Sequence, residues 1–176
     1  MNRLFSIVVI GIFGMSLQET PTKKVSDYKS QLSDLQKWGK NLTDDKWYGE
    51  RFKFVNNKGE TKKFMDFETF DRRMFQMMTT QRFNVHLASL EGSWRNDLKK
   101  VAAAKIPDSA DDPNAIAGSD DLQKMIDDLH KLRADAIASW ETQAISIFKD
   151  YPKNFNEKDQ EHYLKTIKEL KKSLEI

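Results

Sequence analysis

The stretch SDDLQKMIDDLHKLRADAIASWETQAISIFKDY, residues 119–151, decides the fold. Its apolar residues recur in near-heptad steps, at Leu122, Ile126, Leu129, Ala136, Trp140, Ala144 and Ile147. This spacing is typical of a helix that packs one apolar face against other helices, as in a coiled coil. We expect Ser119 to cap the N-terminus of this helix and Pro152 to end it.

Two further segments show the same helical period. The first, residues 24–40, has an apolar stripe and ends at a glycine; the stripe is Val25, Tyr28, Leu32, Leu35 and Trp38, and the glycine is Gly39. The second follows Pro152, and we expect Asn156 to open it as an N-cap. Its stripe is Tyr163, Ile167, Leu170 and Leu174.

Residues 66–106 also follow a helical period and contain no proline. One straight helix of this length would extend about 60 Å. Because that exceeds the width of a compact domain, we expect a kink or break near Thr79-Thr80 or Gly92. Together these segments predict an all-α fold, a four- to five-helix bundle with long helices.

The region between the first two long helical segments is the most ambiguous. Acidic residues at its start favour a short helical turn near residues 43–49. Phe52 and Phe54 then alternate with polar residues before the turn-rich sequence of residues 56–59, Asn-Asn-Lys-Gly. This pattern predicts a small β-hairpin at about 51–64, which must pack on the helices to be stable.

An apolar run at the N-terminus predicts a secretory signal peptide. Arg3 precedes the uncharged residues 4–15, and small residues stand before a cleavage site after Ser16. The run is shorter than the roughly 20 residues that a membrane span needs. We therefore expect a signal peptide at 1–16, a single helical domain at 17–176, and a secreted protein without a membrane span in its mature chain.

Composition limits the classes of partner. The chain has no cysteine, so its core must form without disulfides, and eleven Phe and four Trp make such a core feasible. The formal charge of +2 falls to +1 when Arg3 is removed with the signal peptide. This balance gives no reason to expect a nucleic-acid partner or attraction to an anionic membrane.

The sequence Asn41-Leu42-Thr43 is an N-glycosylation sequon. It lies where a helix is expected to end, and in a secreted chain we expect Asn41 to carry a glycan. The alternative is a chance match in which Thr43 only caps the next helix.

The stretch IPDSADDPNAIAGSDD, residues 106–121, is the candidate cation site, and residues 106–119 are predicted to be a polar acidic linker. Its carboxylates are Asp108, Asp111, Asp112, Asp120 and Asp121. Neither a loop that starts at Asp108 nor one that starts at Asp112 places ligands, glycine and glutamate as a calcium-binding EF-hand loop requires. The favoured interpretation is a linker whose last two acids face the positive end of a helix dipole, and weak cation binding is the alternative.

The stretch FMDFETFDRRMFQMM, residues 64–78, holds more apolar residues than one helix face can bury. A helix buried on several sides explains it most simply. The functional alternative is an adaptable groove for an apolar ligand or a partner helix. That groove would be lined by Phe64, Phe67, Phe70, Met74 and Met78.

No motif for catalysis is present in the sequence. The chain lacks a Gly-x-Ser-x-Gly elbow, a phosphate-binding glycine loop, a nucleophilic cysteine and a His-Glu-x-x-His zinc motif, and its three histidines lie far apart. We therefore expect a protein that is not an enzyme and that uses no cofactor.

Two segments resemble the SXP/RAL-type secreted proteins of nematodes: FETFDRRMFQMM, residues 67–78, and AISIFKDYPKNFNEKDQEHYLKTIKEL, residues 144–170. The resemblance implies an extracellular, non-enzymatic helical protein for which divalent-cation binding has been proposed, and it assigns no ligand residue. Nematode fatty-acid and retinol carriers are similar to this chain in being secreted, helical and poor in cysteine.

The leading hypothesis is a secreted, non-enzymatic helical binding protein whose ligand or protein partner is unknown, and which binds through the groove near residues 64–78 or through an exposed helical face. The first alternative is a carrier of fatty acid or a similar apolar small molecule in a cavity lined by Phe and Met. The second is an extracellular protein that binds a divalent cation.

Overall fold

The computed structural model describes residues 23–174, so the predicted signal peptide lies outside the described residues. Five α-helices and one two-stranded antiparallel sheet make up this part of the chain. In order they are α1 (Val25–Gly39), α2 (Asp45–Arg51), β1 (Lys53–Val55), β2 (Thr61–Lys63), α3 (Thr69–Ala104), α4 (Ser119–Asp150) and α5 (Glu157–Ser173), with short 3₁₀ turns at Phe64–Asp66 and Pro152–Asn154. The all-α prediction and the predicted hairpin are confirmed.

Helices α3 and α4 form one long antiparallel pair. The contacts show the antiparallel direction. Thr80 in the first third of α3 meets Gln143 in the last third of α4, with 3.2 Å between Oγ1 and Oε1, and Glu91, farther along α3, meets His130, nearer the start of α4, with 3.2 Å between Oε1 and Nδ1. The helices contain 36 and 32 residues, or about 54 Å and 48 Å of rise. This pair is the frame to which the other elements attach.

The predicted break in α3 is not present, since the helix continues through Thr79-Thr80 and Gly92. The hydroxyls of Thr79 and Thr80 donate to the carbonyls of Phe75 and Gln76, at 2.8 Å and 3.0 Å, so both threonines satisfy their side chains within the helix. One long helix is stable here because α1 and α5 pack against successive parts of it.

The hydrophobic core has two clusters along the α3/α4 pair. In the first, α1 packs against the C-terminal half of α3 and the N-terminal half of α4, through residues such as Leu32, Trp94 and Leu129. In the second, α5 packs against the opposite ends of the pair, through residues such as Trp140 and Ile167. All seven residues of the predicted apolar stripe on α4 are buried, and they contribute to both clusters.

The N-cap of α5 and the ends of α1 and α4 agree with the sequence predictions. The Asn156 side chain accepts a hydrogen bond of 2.9 Å from the Asp159 N–H, α1 ends at Gly39, and α4 ends two residues before Pro152. Ser119, the predicted cap of α4, is instead the first residue inside that helix. No helix within residues 23–174 is long and apolar enough to cross a membrane.

Candidate functional site

The acidic stretch folds as a structural connector between helices. The carbonyls of Ala115 and Pro113 accept hydrogen bonds from the N–H groups of Val25 and Ser26, at 3.0 Å and 2.9 Å, in the first turn of α1. At the other side of the loop, Asp108 Oδ1 accepts from the Asp120 N–H at 2.8 Å. The loop therefore satisfies backbone donors at the N-termini of two helices.

Asp121 closes the same loop from within α4. Its carboxylate accepts from the Ser109 N–H at 2.6 Å, from the Ser109 hydroxyl at 3.1 Å and from the Gly118 N–H at 3.1 Å. Burial on its own raises the pKa of Asp121, but these hydrogen bonds outweigh it and hold the pKa below its ordinary value. The carboxylate oxygens are thus engaged by protein donors.

The five predicted cation ligands do not assemble around one point. Asp108 and Asp121 bind backbone donors, Asp112 accepts from the Asn114 N–H at 2.9 Å in a local turn, and Asp111 is an exposed residue with a left-handed φ of 69°. Asp120 is exposed at the start of α4. Across residues 23–174, no group of three or more His, Asp or Glu side chains is placed to hold a metal ion.

The five predicted groove residues lie on two sides of α3. Phe64 and Phe67 belong to an aromatic cluster with the hairpin, whereas Phe70 and Met74 pack into the second core cluster beside α4 and α5. Met78 is 39% exposed. These side chains therefore do not line one groove, and the interpretation of a helix buried on several sides agrees with their placement.

Asn41, the predicted glycosylation site, lies in the turn after α1. Its Nδ2 donates a hydrogen bond of 2.6 Å to the Lys37 carbonyl near the end of that helix. A glycan bonded to Nδ2 would leave one donor hydrogen on this nitrogen. The side chain is partly exposed and the next sequon hydroxyl, on Thr43, belongs to an exposed residue.

The most distinctive exposed region is the hairpin module, which we define as residues 45–66: α2, β1, β2 and the first 3₁₀ turn. Its centre is Tyr48, which is fully buried and stacks on Phe52 and Phe64, with ring centroids 5.4 Å and 5.2 Å apart. Burial raises the pKa of the Tyr48 phenol above its ordinary value. Phe75 of α3 contacts the same rings, at 5.9 Å from both Tyr48 and Phe64. This cluster anchors the module on α3.

Polar contacts fix the first helix of the module. Asp44 Oδ1 accepts from the N–H groups of Lys46 and Trp47, at 2.9 Å and 3.2 Å, and so caps α2. Asp45 accepts from Gln76 Nε2 of α3 at 2.8 Å and pairs with the Arg72 guanidinium at 3.4 Å. The module is held on α3 by both aromatic packing and a directed polar contact.

The outer surface of the module is strongly basic. Residues 51–63 contain five basic residues and one acidic residue, a net charge of +4, whereas the whole chain carries +2. Lys53 stands directly opposite Lys63 in the antiparallel pair. Neither lysine, nor Lys58 in the turn, forms an ion pair with another described residue.

Apolar side chains are exposed on the same module. Val55 is 58% exposed and Met65 is 50% exposed. Two other cations cover aromatic faces, since the Arg51 guanidinium lies 4.6 Å from the Trp47 ring centroid and Lys62 Nζ lies 5.9 Å from that of Phe67. The module thus presents lysines without acidic partners beside exposed aliphatic side chains.

A charge network centred on the buried Glu91 links α3 to α4, and it was not among the predicted sites. Glu91 is 5% exposed, and its Oε1 accepts from Arg95 at 2.7 Å and lies 3.2 Å from His130 Nδ1. Arg133 lies 3.5 Å from Oε2 and 3.4 Å from the buried Asn84. The signal was the position of Glu91, which shares the helical stripe of Leu87, Trp94 and Leu98 and is therefore at a core position.

Opposing effects set the ionisation of Glu91. Burial on its own raises its pKa, but hydrogen bonds from Arg95 and His130 and the nearby charges lower it, and the pKa lies below its ordinary value. Glu91 is therefore a carboxylate that joins two long helices. We expect this arrangement to favour one register of α3 against α4, as polar groups at core positions do in some helical bundles.

Comparison of the chain with protein-family models, with curated proteins and with solved structures finds no significant match. The resemblance to SXP/RAL-type proteins therefore stays a prediction, and the function must be argued from the geometry of the chain itself.

Proposed function

We propose that the protein is a secreted, non-catalytic helical binding protein that docks through its hairpin module on an acidic surface of a partner protein. The observation that carries this proposal is the direct cross-strand pairing of Lys53 with Lys63, neither of which forms an ion pair within the described chain.

Like charges directly opposite each other on an antiparallel pair destabilise it. The two lysines therefore destabilise the free protein. Carboxylates of a bound partner would pair with them and turn this repulsion into attraction. Lys58 at the hairpin turn adds a third cation without an acid. Electrostatic complementarity of this kind raises association rates and selects among partners.

The exposed aliphatic side chains favour a protein as the occupant. Protein interfaces commonly bury an apolar centre inside a polar rim, and methionine adapts to varied contact shapes. Val55 lies on the same face of the strands as Lys53 and Lys63, because alternate residues of a strand share one face and directly paired residues share it across the ladder. Burying Val55 against a partner would contribute about 1 kcal/mol or more.

The aromatic cluster makes the module a rigid platform. A lone two-stranded hairpin is marginally stable in water, but here Phe54 packs edge-on against Phe67 and Phe75, with centroids 4.9 Å and 5.1 Å apart. Because the surface is ordered before binding, less conformational entropy is lost on docking.

The two alternative functions receive less support from the geometry. A carrier would need Phe67, Met74 and Met78 around one cavity, and these side chains lie in different surroundings. A cation-binding protein would need free oxygens from the acidic loop, and Asp108 and Asp121 already accept hydrogen bonds from the backbone.

Amide chemical-shift mapping by NMR tests the proposed docking surface. The probe is a ten-residue peptide in which glutamates flank two leucines, and residues 51–66 should show the largest shifts, which should shrink as salt is added. Phosphatidylcholine vesicles containing phosphatidylserine form a second arm. Shifts elsewhere in the chain, or binding to the vesicles but not to the peptide, would reject an acidic protein surface as the occupant.

A further inference from the structure

A cleft of about 380 Å³ lies between α1, the turn after α1 and α4, and none of its lining residues belongs to the hairpin module. Its lining residues are Gln36, Gly39, Lys40, Leu42, Asp128, Lys131, Leu132, Asp135 and Ala136. The apolar members form a floor: Leu42 is 3% exposed and Ala136 is 2% exposed. A volume of this size is within the range of small-molecule sites.

Gly39 gives the cleft its shape where α1 meets α4. A Cβ atom at this position would lie 2.9 Å from Leu132 Cδ1 and 3.7 Å from the Phe83 ring. The missing side chain lets Leu132 approach the last turn of α1. The apolar floor is therefore built from both helices.

Four charged side chains surround this floor: Lys40, Asp128, Lys131 and Asp135. None of the four forms an ion pair or a side-chain hydrogen bond with another described residue. Lys131 lies between two acids on α4: Asp128, three residues before it, has the favourable order for a helical pair, and Asp135, four residues after it, has the weaker order. The rim thus offers two cations and two anions.

We infer that this cleft binds a small zwitterion, an α-amino acid with an apolar side chain. Its carboxylate would meet the lysines, Lys40 and Lys131, its ammonium group would meet one of the two aspartates, and its side chain would cover the apolar floor. A ligand with only one charge would leave one pair of rim charges without a partner. This site is separate from the proposed docking surface and does not depend on it.

The probe for this inference is L-phenylalanine, compared with 3-phenylpropionate, which lacks the ammonium group, and with phenethylamine, which lacks the carboxylate. Because the rim is exposed, we expect a Kd of about 1 mM for the amino acid and binding at least about tenfold weaker for each analogue. Amide shifts of residues 36–42 and 128–136 report occupancy. Equal shifts with all three compounds, or no shifts with about 20 mM phenylalanine, overturn the inference.

A charge-reversal variant tests the same site from the protein side. Lys40→Glu with Lys131→Glu removes both cations and should abolish the shifts caused by phenylalanine. The matched control, Lys149→Glu with Lys158→Glu, changes the formal charge equally at exposed positions that do not line the cleft. Retention of binding in the first variant, or its equal loss in the control, contradicts the assignment of the rim.

Discussion

The Asp108 carboxylate reaches across the loop to α4 and accepts a hydrogen bond of 2.8 Å from the backbone N–H of Asp120. An N-cap acceptor is normally the residue just before a helix. Here that residue is Gly118, whose Cβ, if present, would lie 2.5 Å from the Asp108 Cα. The close approach of the Asp108 backbone requires a glycine, and the Asp108 side chain supplies the acceptor that the glycine lacks.

Replacement of Asp108 by alanine should lower the free energy of unfolding by about 1 kcal/mol, because the first turn of α4 loses its cap. Urea denaturation measures this change. Asp111→Asn is the matched control, since Asp111 is exposed and asparagine tolerates its left-handed φ of 69°. An Asp108→Ala protein as stable as the control would show that the cap contributes nothing.

Acid should weaken the fold partly through Asp121. Its pKa in the folded chain is below its ordinary value, so the ionised carboxylate stabilises the fold at pH values above the unfolded-state pKa of about 3.9. That stabilisation is lost as the pH falls through the folded-state pKa. Unfolding free energies measured between about pH 2 and pH 6 should therefore fall less steeply in Asp121→Asn than in the parent protein. If the unfolding free energies of the two proteins fall equally at acid pH, the hydrogen bonds of the Asp121 carboxylate do not stabilise the fold.

Glu91→Gln should destabilise the protein by about 2 kcal/mol, because Arg133 keeps its charge in a buried site. The effect is below that of a fully buried pair because the Arg95 side chain is 49% exposed. Glu141→Gln is the matched control: Glu141 pairs with Lys171 at 2.7 Å, each side chain is 33% exposed, and we expect a loss of less than about 1 kcal/mol. If both variants lose the same free energy of unfolding, Glu91 has no special role in joining α3 to α4.

Secretion and glycosylation are tested together by the mass of the protein exported from eukaryotic cells. We expect a denatured mass that corresponds to residues 17–176 with a glycan on Asn41, and loss of the glycan in Asn41→Gln. Asn41 lies in a turn, partly exposed, which suits an acceptor residue. A chain that retains Met1 would reject the signal peptide, and an exported chain without glycan would reject Asn41 as an acceptor.

The helices were predictable because their apolar stripes are local patterns. The seven residues of the predicted stripe on α4, from Leu122 to Ile147, are all buried, and they follow one helical period that is visible in the sequence. The cap of the same helix was not predictable from its flanking residues. Ser119 is the usual type of N-cap, but the acceptor comes from Asp108, twelve residues before Asp120, and only the folded loop brings them together.

The candidate binding surface was harder to predict for a similar reason. The apolar run of residues 64–78 crosses from the 3₁₀ turn into α3, so neighbouring residues enter different clusters: Phe67 faces Phe54, and Phe70 faces Tyr151, with centroids 4.9 Å and 4.8 Å apart. The sequence predicted the hairpin itself. The opposition of Lys53 and Lys63 depends on strand register, which the turn and the packing determine together.

The most direct test of the central claim is the affinity of a charge-reversed hairpin for the acidic peptide, measured by fluorescence anisotropy. Lys53→Glu with Lys63→Glu should weaken binding by about tenfold or more, because two favourable pairs become repulsive. The control, Lys99→Glu with Lys100→Glu, makes the same change of charge at exposed positions of α3 and should bind like the parent protein. Equal affinity of the two variants would contradict docking through the hairpin module.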